Sequence, residues 1–210
     1  GVGLAPAFRM RFWNIGAEGQ ILVGGIATAA VMIYLGSSLP TWAMLVVMFA
    51  VSGAAGAVWG LIPAFFKARF NTNETLFTLM MNYVAIQLTS FCVAKWEHPY
   101  GSNSVGIINQ STKAGWFPAV FGQQYMLNVL LVLALTAAVY VYLRYSKHGY
   151  EVTVVGESER TARYIGIDVR RVILRTMALS GAVCGLAGFI AVAGASHTIS
   201  TSTAGGRGFT

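Results

Sequence analysis

Five apolar runs of about twenty residues, each bounded by charged or turn-forming residues, restrict this chain to very few folds. They cover roughly 15–35, 41–66, 75–94, 124–143 and 172–195. About 20 apolar residues are needed for a helix to cross the hydrocarbon core of a bilayer. At that depth every backbone polar group must be satisfied within the protein, which leaves helices and closed barrels. Runs of this length exclude barrel strands. Composition agrees: 56% of residues are hydrophobic and 10% charged, where a soluble domain carries about 25% charged residues. The expected fold is an all-α integral membrane protein, a polytopic helical bundle with about five transmembrane helices. Residues 1–210 read as a single transmembrane domain, with 144–171 as a cytoplasmic loop inside it. The chain begins Gly1-Val2-Gly3 and stops soon after a polar stretch, so truncation at both ends is the expectation.

The basic residues orient the spans. Arg9 and Arg11 precede the first, Lys67 and Arg69 follow the second, and Arg144, Lys147, Arg160, Arg163, Arg170, Arg171 and Arg175 cluster around the fourth connection. The opposite connections hold only Lys95, Lys113 and, if the tail lies there, Arg207. Lys and Arg concentrate on the cytoplasmic side, so the N-terminal residues, 67–74 and 144–171 are cytoplasmic. The turn at 36–40, the segment 96–123 and the tail face outside. Trp96, Tyr100, Trp116 and Phe117 suit a headgroup-level segment. The tail, 196–210, reads as a loop or a re-entrant segment. A net charge of +7 is therefore topological and implies no nucleic acid. Cys92 and Cys184 fall inside spans, and their spacing forms no metal or disulfide framework.

Polar groups at membrane depth are costly and usually functional. The stretch Phe12-Trp13-Asn14-Ile15-Gly16-Ala17-Glu18-Gly19-Gln20 sets two amides and a carboxylate at the mouth of the first span. Its glycines allow close backbone approach or a late helix start. The plainer reading is an interfacial cap with Asn14 as N-cap. In the third span Thr78, Asn82 and Gln87 are the polar residues. In the second, Gly53 and Ala57, and Gly56 and Gly60, are small pairs four apart that permit close helix packing.

The cytoplasmic loop is too long to be a mere turn. After a turn at 147–149 comes a stretch, 151–156, too polar for lipid. Ser158 then caps a short helix over 159–165 that Gly166 ends. Ala162 and Gly166 present a small-residue notch, and Tyr164 and Ile165 offer apolar contact. Such a helix suits docking into a partner's groove, or else lies as an amphipathic helix on the lipid surface.

These motifs resemble a known family in order. Residues 12–20 resemble the Phe-Asn-Ile-Gly-x-Glu-Gly-Gln signature of ABC-importer permeases for branched-chain amino acids, simple sugars and nucleosides, with Trp13 as a departure. Residues 73–83, Asn-Glu-Thr-Leu-Phe-Thr-Leu-Met-Met-Asn-Tyr, resemble the nucleoside and simple-sugar branch. Residues 156–167 are similar to the cytoplasmic coupling segment of importers, keeping Ala-x-x-x-Gly without a full Glu-Ala-Ala. Residues 180–188 and 205–210 also match.

The resemblance implies a permease subunit of an ATP-binding-cassette importer in the bacterial inner or plasma membrane, moving a nucleoside or simple sugar. It implies no catalytic residue and no cofactor on this chain. ATP and Mg are bound by partner cytoplasmic ATPase subunits, in keeping with the lack of a P-loop here. The other implied partners are a second permease subunit, identical or paralogous, an extracytoplasmic binding protein or lipoprotein, and membrane lipid. Asn14, Glu18 and Gln20, then Thr78 and Asn82, are the expected substrate-pathway residues, with Phe12 or Trp13 as an aromatic face. Glu18 and Asn82 serve equally well as inter-helix hydrogen bonds that hold the fold. Gly156, Glu159, Ala162, Tyr164 and Gly166 are the expected ATPase-coupling residues.

The alternatives are a monosaccharide or branched-chain amino acid permease of the same family, or an ion-coupled secondary transporter. The latter needs ion sites in the spans, which offer only Glu18 as an acid. An intramembrane enzyme needs paired catalytic groups, and His98, His148 and His197 all lie in loops or the tail.

Overall fold

A computed structural model describes every residue except Ser37, Ser38, Asn103, Val120, Phe121, Gln124, Arg207, Phe209 and Thr210. Parts of the 36–40 turn and of the 205–210 motif thus lie outside the described residues. The described residues form helices and no β-strand. A 3-10 turn, Val2–Leu4, leads into α1 (Ala5–Arg9). Then follow α2 (Ala17–Leu35), α3 (Thr41–Phe70), α4 (Glu74–Trp96), α5 (Met126–Tyr145), α6 (Lys147–Glu157), α7 (Glu159–Tyr164) and α8 (Val169–Ala191), which runs on into a π-turn, Val192–Ser196. Five of them, α2, α3, α4, α5 and α8, are long and apolar enough to cross a membrane, so this is a multi-pass membrane protein.

Side-chain caps fix several starts. Asn73 accepts from the amides of Thr75 and Leu76, Ser146 from Gly149, Ser158 from Thr161 and Asp168 from Arg171. Each satisfies a helix-terminal N–H with no intrahelical partner. Asn71 ends α3 in the left-handed conformation and donates to the Lys67 carbonyl.

The frame is α2, α3 and α8, packed through glycine. A Cβ on Gly56 would run into the Gly181 carbonyl, one on Gly185 into that of Ser52, one on Gly24 into that of Gly185, and one on Gly188 into that of Ile21. Small residues let backbones approach this closely, which drives helix association in lipid. By contrast, α5 is the least buried of the five spans and exposes Val129, Leu130, Val132 and Leu133.

The two ends of the bundle differ in structure. At one end, the one expected to face outside, the described residues of 96–123 lie over the helix ends. Asn109 donates to the Met32 carbonyl at 2.8 Å, the Ile108 amide to His197 at 2.9 Å, and the Phe117 amide to Ala193 at 3.3 Å. Trp116 stacks on His197 at 3.9 Å. Val105, Ile108, Ala114 and Phe117 pack with Met32, Met44, Met48 and Phe189. At the other end lie Arg9, the end of α3 and α6–α8.

One expectation needs correcting. Residues 147–157 are one helix, α6, with no separate turn at 147–149. Ser146 caps it, and Val152 and Val155, a turn apart, are buried; that burial outweighs the strand preference of the β-branched run. The tail is re-entrant: from the outer end at His197 it turns back until Ala204 packs with Leu22 and Ala85.

Candidate functional site

The α1–α2 connection is a break in the middle of the bundle. Its neighbour on α3 is Gly60, where a Cβ would lie 3.3 Å from Gln20 Nε2 and 2.8 Å from the Met177 carbonyl. Residues 60 and 70 of α3 are separated by about 15 Å along the helix axis, so α2 starts well inside the span. Its first turn is buried, and neighbouring side chains meet its free N–H groups.

Asn14 is 1% exposed. It accepts from the Gly16 amide at 3.0 Å and donates to Gln20 Oε1 at 3.4 Å. The N-cap position itself is Gly16, not Asn14, because Asn14 reaches the helix start from two residues back. Thr78 Oγ1 accepts from the Ile15 amide at 3.2 Å while donating to the Glu74 carbonyl. Asn82 clamps both sides of the break: its Oδ1 accepts from the Gly19 amide and its Nδ2 donates to the Ile15 carbonyl, each at 2.8 Å. Glu18, in the first turn of α2, accepts from the amides of Gly206 and Gly208 at 2.9 and 2.8 Å. A carboxylate at a helix N-terminus is also favoured by the helix dipole.

Asn14, Glu18, Gln20, Thr78 and Asn82 thus converge around one break, all buried. The two aromatic residues do not join them. Phe12 turns away into an apolar cluster with Ala64, Val155, Ala162 and Met177. Trp13 is 62% exposed and packs edge-on against Phe8. The expectation of an aromatic face beside the amides is corrected accordingly: a tight turn about Trp13, closed by the Asn14 amide donating to the Phe12 carbonyl at 2.9 Å, sends the two rings different ways.

Local pattern did not reveal Trp59, Gly206 and Gly208 as members of the site. Trp59 Nε1 is buried, has no hydrogen-bond partner among the described residues, and lies 3.1 Å from where a Cβ on Gly19 would be. The run Gly205-Gly206 has two successive positive φ angles, 61° and 74°. Glycine adopts such angles without strain, and the amides of Gly206 and Gly208, two residues apart, are the ones that meet Glu18.

Around α7, Glu159, Tyr164 and Gly166 are exposed, but Gly156 and Ala162 are buried. Ala162 packs inward and Gly156 abuts the backbone of Arg9. The Ala162–Gly166 notch is therefore not a surface feature. Beside α7 a polar groove of about 650 Å³ is lined by Lys67, Arg69, Asn71, Arg163 and Arg170 among others. Among the described residues no group of His, Cys, Asp and Glu is arranged to hold a metal ion.

A family described as the branched-chain amino acid transport system / permease component matches residues 1–208. A guanosine ABC transporter permease protein, NupP, of Bacillus subtilis (strain 168) is 34% identical over 190 residues, covering 90% of this chain and 54% of that protein. A glucose ABC transporter permease protein, TsgB13, of Haloferax volcanii is 31% identical over 221 residues, covering 100% of this chain and 57% of that protein. A nucleoside ABC transporter permease protein, NupB, of Lactococcus lactis subsp. cremoris is 25% identical over 198 residues, with 90% and 54% covered. The chain spans about half the length of these curated relatives. No solved structure matches it. The family match spans residues 1–208 and the helices are apolar enough to cross a membrane five times; the chain is a multi-pass plasma-membrane protein and belongs to the branched-chain amino acid transport system permease component family.

Proposed function

We propose that this chain is the membrane portion of a permease subunit of an ATP-driven importer for a nucleoside or a simple sugar. The observation that carries the reading is the buried polar break at Asn14–Gln20 inside a bundle whose cytoplasmic end presents a short, charged, capped helix. Irregular backbone at membrane depth is tolerated where it lines a cavity or is buried in protein, and transporters place substrate at such breaks. The names of the relatives, guanosine, glucose and nucleoside permeases, support an uncharged polyhydroxylated solute. The amides of Asn14, Gln20 and Asn82 have the donors and acceptors to read hydroxyls. In the resting arrangement they bond one another and the backbone, so they become available as the break opens.

ATP and Mg bind on separate cytoplasmic ATPase subunits, which dock against Glu159, Tyr164, Gly166 and the adjoining basic groove. A second permease subunit completes the pathway, and an extracytoplasmic binding protein or lipoprotein delivers the solute. Ion coupling in place of ATP is disfavoured by Glu18, whose two oxygens are both taken by backbone amides.

The test is uptake by the complete permease reconstituted with its ATPase and binding protein, using guanosine, other nucleosides, pentoses and glucose. ATP-dependent accumulation of one of these classes is the expected result. Glu18→Gln should reduce uptake while the complex still assembles and hydrolyses ATP. Normal uptake by that variant would sink the role of the break in transport.

A further inference from the structure

The stretch between α1 and α2 links two parts of the fold, and Met177 of α8 also lies between them. At its start, α1 ends in a Schellman-type cap. The Phe12 amide donates to the Ala7 carbonyl at 3.0 Å and the Arg11 amide to that of Phe8 at 2.9 Å, with Arg11 left-handed at φ 55°. This motif brings an apolar residue after the cap onto the last turn of the helix. Here that residue is Phe12, and it is 3% exposed. Its ring lies in the apolar cluster that contains Val152 and Val155 of α6 and Ala162 of α7. Gly156, at the end of α6, touches the same turn through its backbone, since a Cβ there would run into the Arg9 carbonyl and lie 3.2 Å from Met10 Cα. At the far end of the stretch, Asn14 and Gly16 belong to the break. Asn14 follows Phe12 by two residues, and its amide is tied to the Phe12 carbonyl at 2.9 Å.

We infer that residues 10–16 are a short mechanical strap and that Phe12 is its cytoplasmic anchor: a positioning residue that ties the α6–α7 unit to the polar break at the start of α2. The inference rests on the importer reading and adds to it a named element through which the cytoplasmic helices act. Packed side chains with discrete arrangements transmit displacement, because a close-packed interior shifts as a body rather than deforming. The strap is short and has one buried aromatic at its cytoplasmic end. Moving the cluster around Phe12 therefore pulls on Asn14 directly, with no intervening flexible chain.

The experiment uses the complete permease assembled with its ATPase and binding protein in proteoliposomes, with radiolabelled guanosine as the probe, or glucose if the uptake panel selects it. ATP hydrolysis and uptake are measured together. Phe12→Ala should keep ATP hydrolysis and lower the amount taken up per ATP by about five- to tenfold, the scale expected for a residue in a coupling network. Phe12→Leu retains most of the buried volume and should lower it by only about twofold. An unchanged ratio in Phe12→Ala overturns the inference, as does an equal fall of hydrolysis and uptake. Should Phe12→Ala fail to assemble, Phe12→Leu decides: a lowered ratio supports the strap, and a wild-type ratio overturns it by leaving packing alone as the role. Absence of ATP-dependent uptake in the wild-type complex is a different result, which overturns the importer reading and takes this inference with it.

Discussion

The carboxylate of Glu18 holds the backbone amide of Gly206 at 2.9 Å, although 188 residues separate them. Gly208 supplies a second amide to the other oxygen. The returning tail is therefore fastened to the first turn of α2 by one side chain. Glutamine has only one acceptor oxygen, so Glu18→Gln leaves one glycine amide facing an NH₂ donor. An unmet buried donor costs about 1–3 kcal/mol. In nanodiscs, residues 198–206 of this variant should become more susceptible to limited proteolysis, and thermal unfolding should begin lower. Equal protection in both proteins would show that the carboxylate does not fasten the tail.

Two glycines on α3 separate close packing from mere smallness. A Cβ on Gly56 would lie 2.7 Å from Gly185 Cα and collide with the Gly181 carbonyl, whereas one on Gly53 would meet only Leu186 at 3.6 Å. Gly56→Ala should destabilise by about 1–3 kcal/mol or more, since the obstructing atoms are backbone. Gly53→Ala should be neutral or slightly stabilising, because alanine is the better helix former. Detergent thermal-shift midpoints for the two variants test this; equal shifts would contradict the interlock.

Arg11 occupies the left-handed position that glycine usually fills after a helix. The strain of that conformation on a residue with a Cβ is about 1 kcal/mol. Arg11→Gly should therefore unfold at a higher temperature than Arg11→Ala, which removes the same charge and keeps the strain. The reverse order would argue against the cap.

His148 gives the packing of α6 on α8 a pH dependence. Its Nε2 lies 3.3 Å from Thr176 Oγ1 on α8, and its Nδ1 is 3.7 Å from Glu151. Burial pushes its pKa below the ordinary 6.5; Glu151 opposes this and Arg175 assists it. A histidine lowered in this way stays neutral in the fold while the unfolded chain takes up a proton. Its contribution is therefore fully present above about pH 6.5 and is lost as pH falls from there through the lowered folded-state value. Thermal stability should decline across that window, and His148→Gln should flatten the decline. An unaltered slope in the variant would assign the acid sensitivity elsewhere.

The spans were legible because lipid leaves so few options: a run of twenty apolar residues is a helix almost irrespective of its side chains. The caps at Ser158 and the turn at Gly166 were readable for a similar reason, since their chemistry is local. So was the polar character of residues 14–20. Their partners were not. Asn82 meets Ile15 and Gly19, and Glu18 meets the tail, across separations that no periodicity encodes. The same limit hid the divergence of Phe12 and Trp13, neighbours in sequence that go to the protein interior and to the exterior. Ala162 looked like a surface notch by spacing alone, and the cluster beneath it turned it inward. For α6, Lys147, His148 and Gly149 looked like a turn, and the helix that includes them buries Val152 and Val155.

The glycine contacts among α2, α3 and α8 also have an entropic side. A buried glycine gives up no rotamer freedom, because it has no side chain to order. At these glycine contacts, bringing the three helices together freezes no side chain, although methionines such as Met32 and Met48 are ordered beside them. By the same token the contact has no alternative rotamers to adopt. The triad is thus the fixed reference of the molecule. Shape changes available to this chain are left to α4, α5, the strap at 10–16 and the returning tail, the parts held by side chains that can exchange one partner for another.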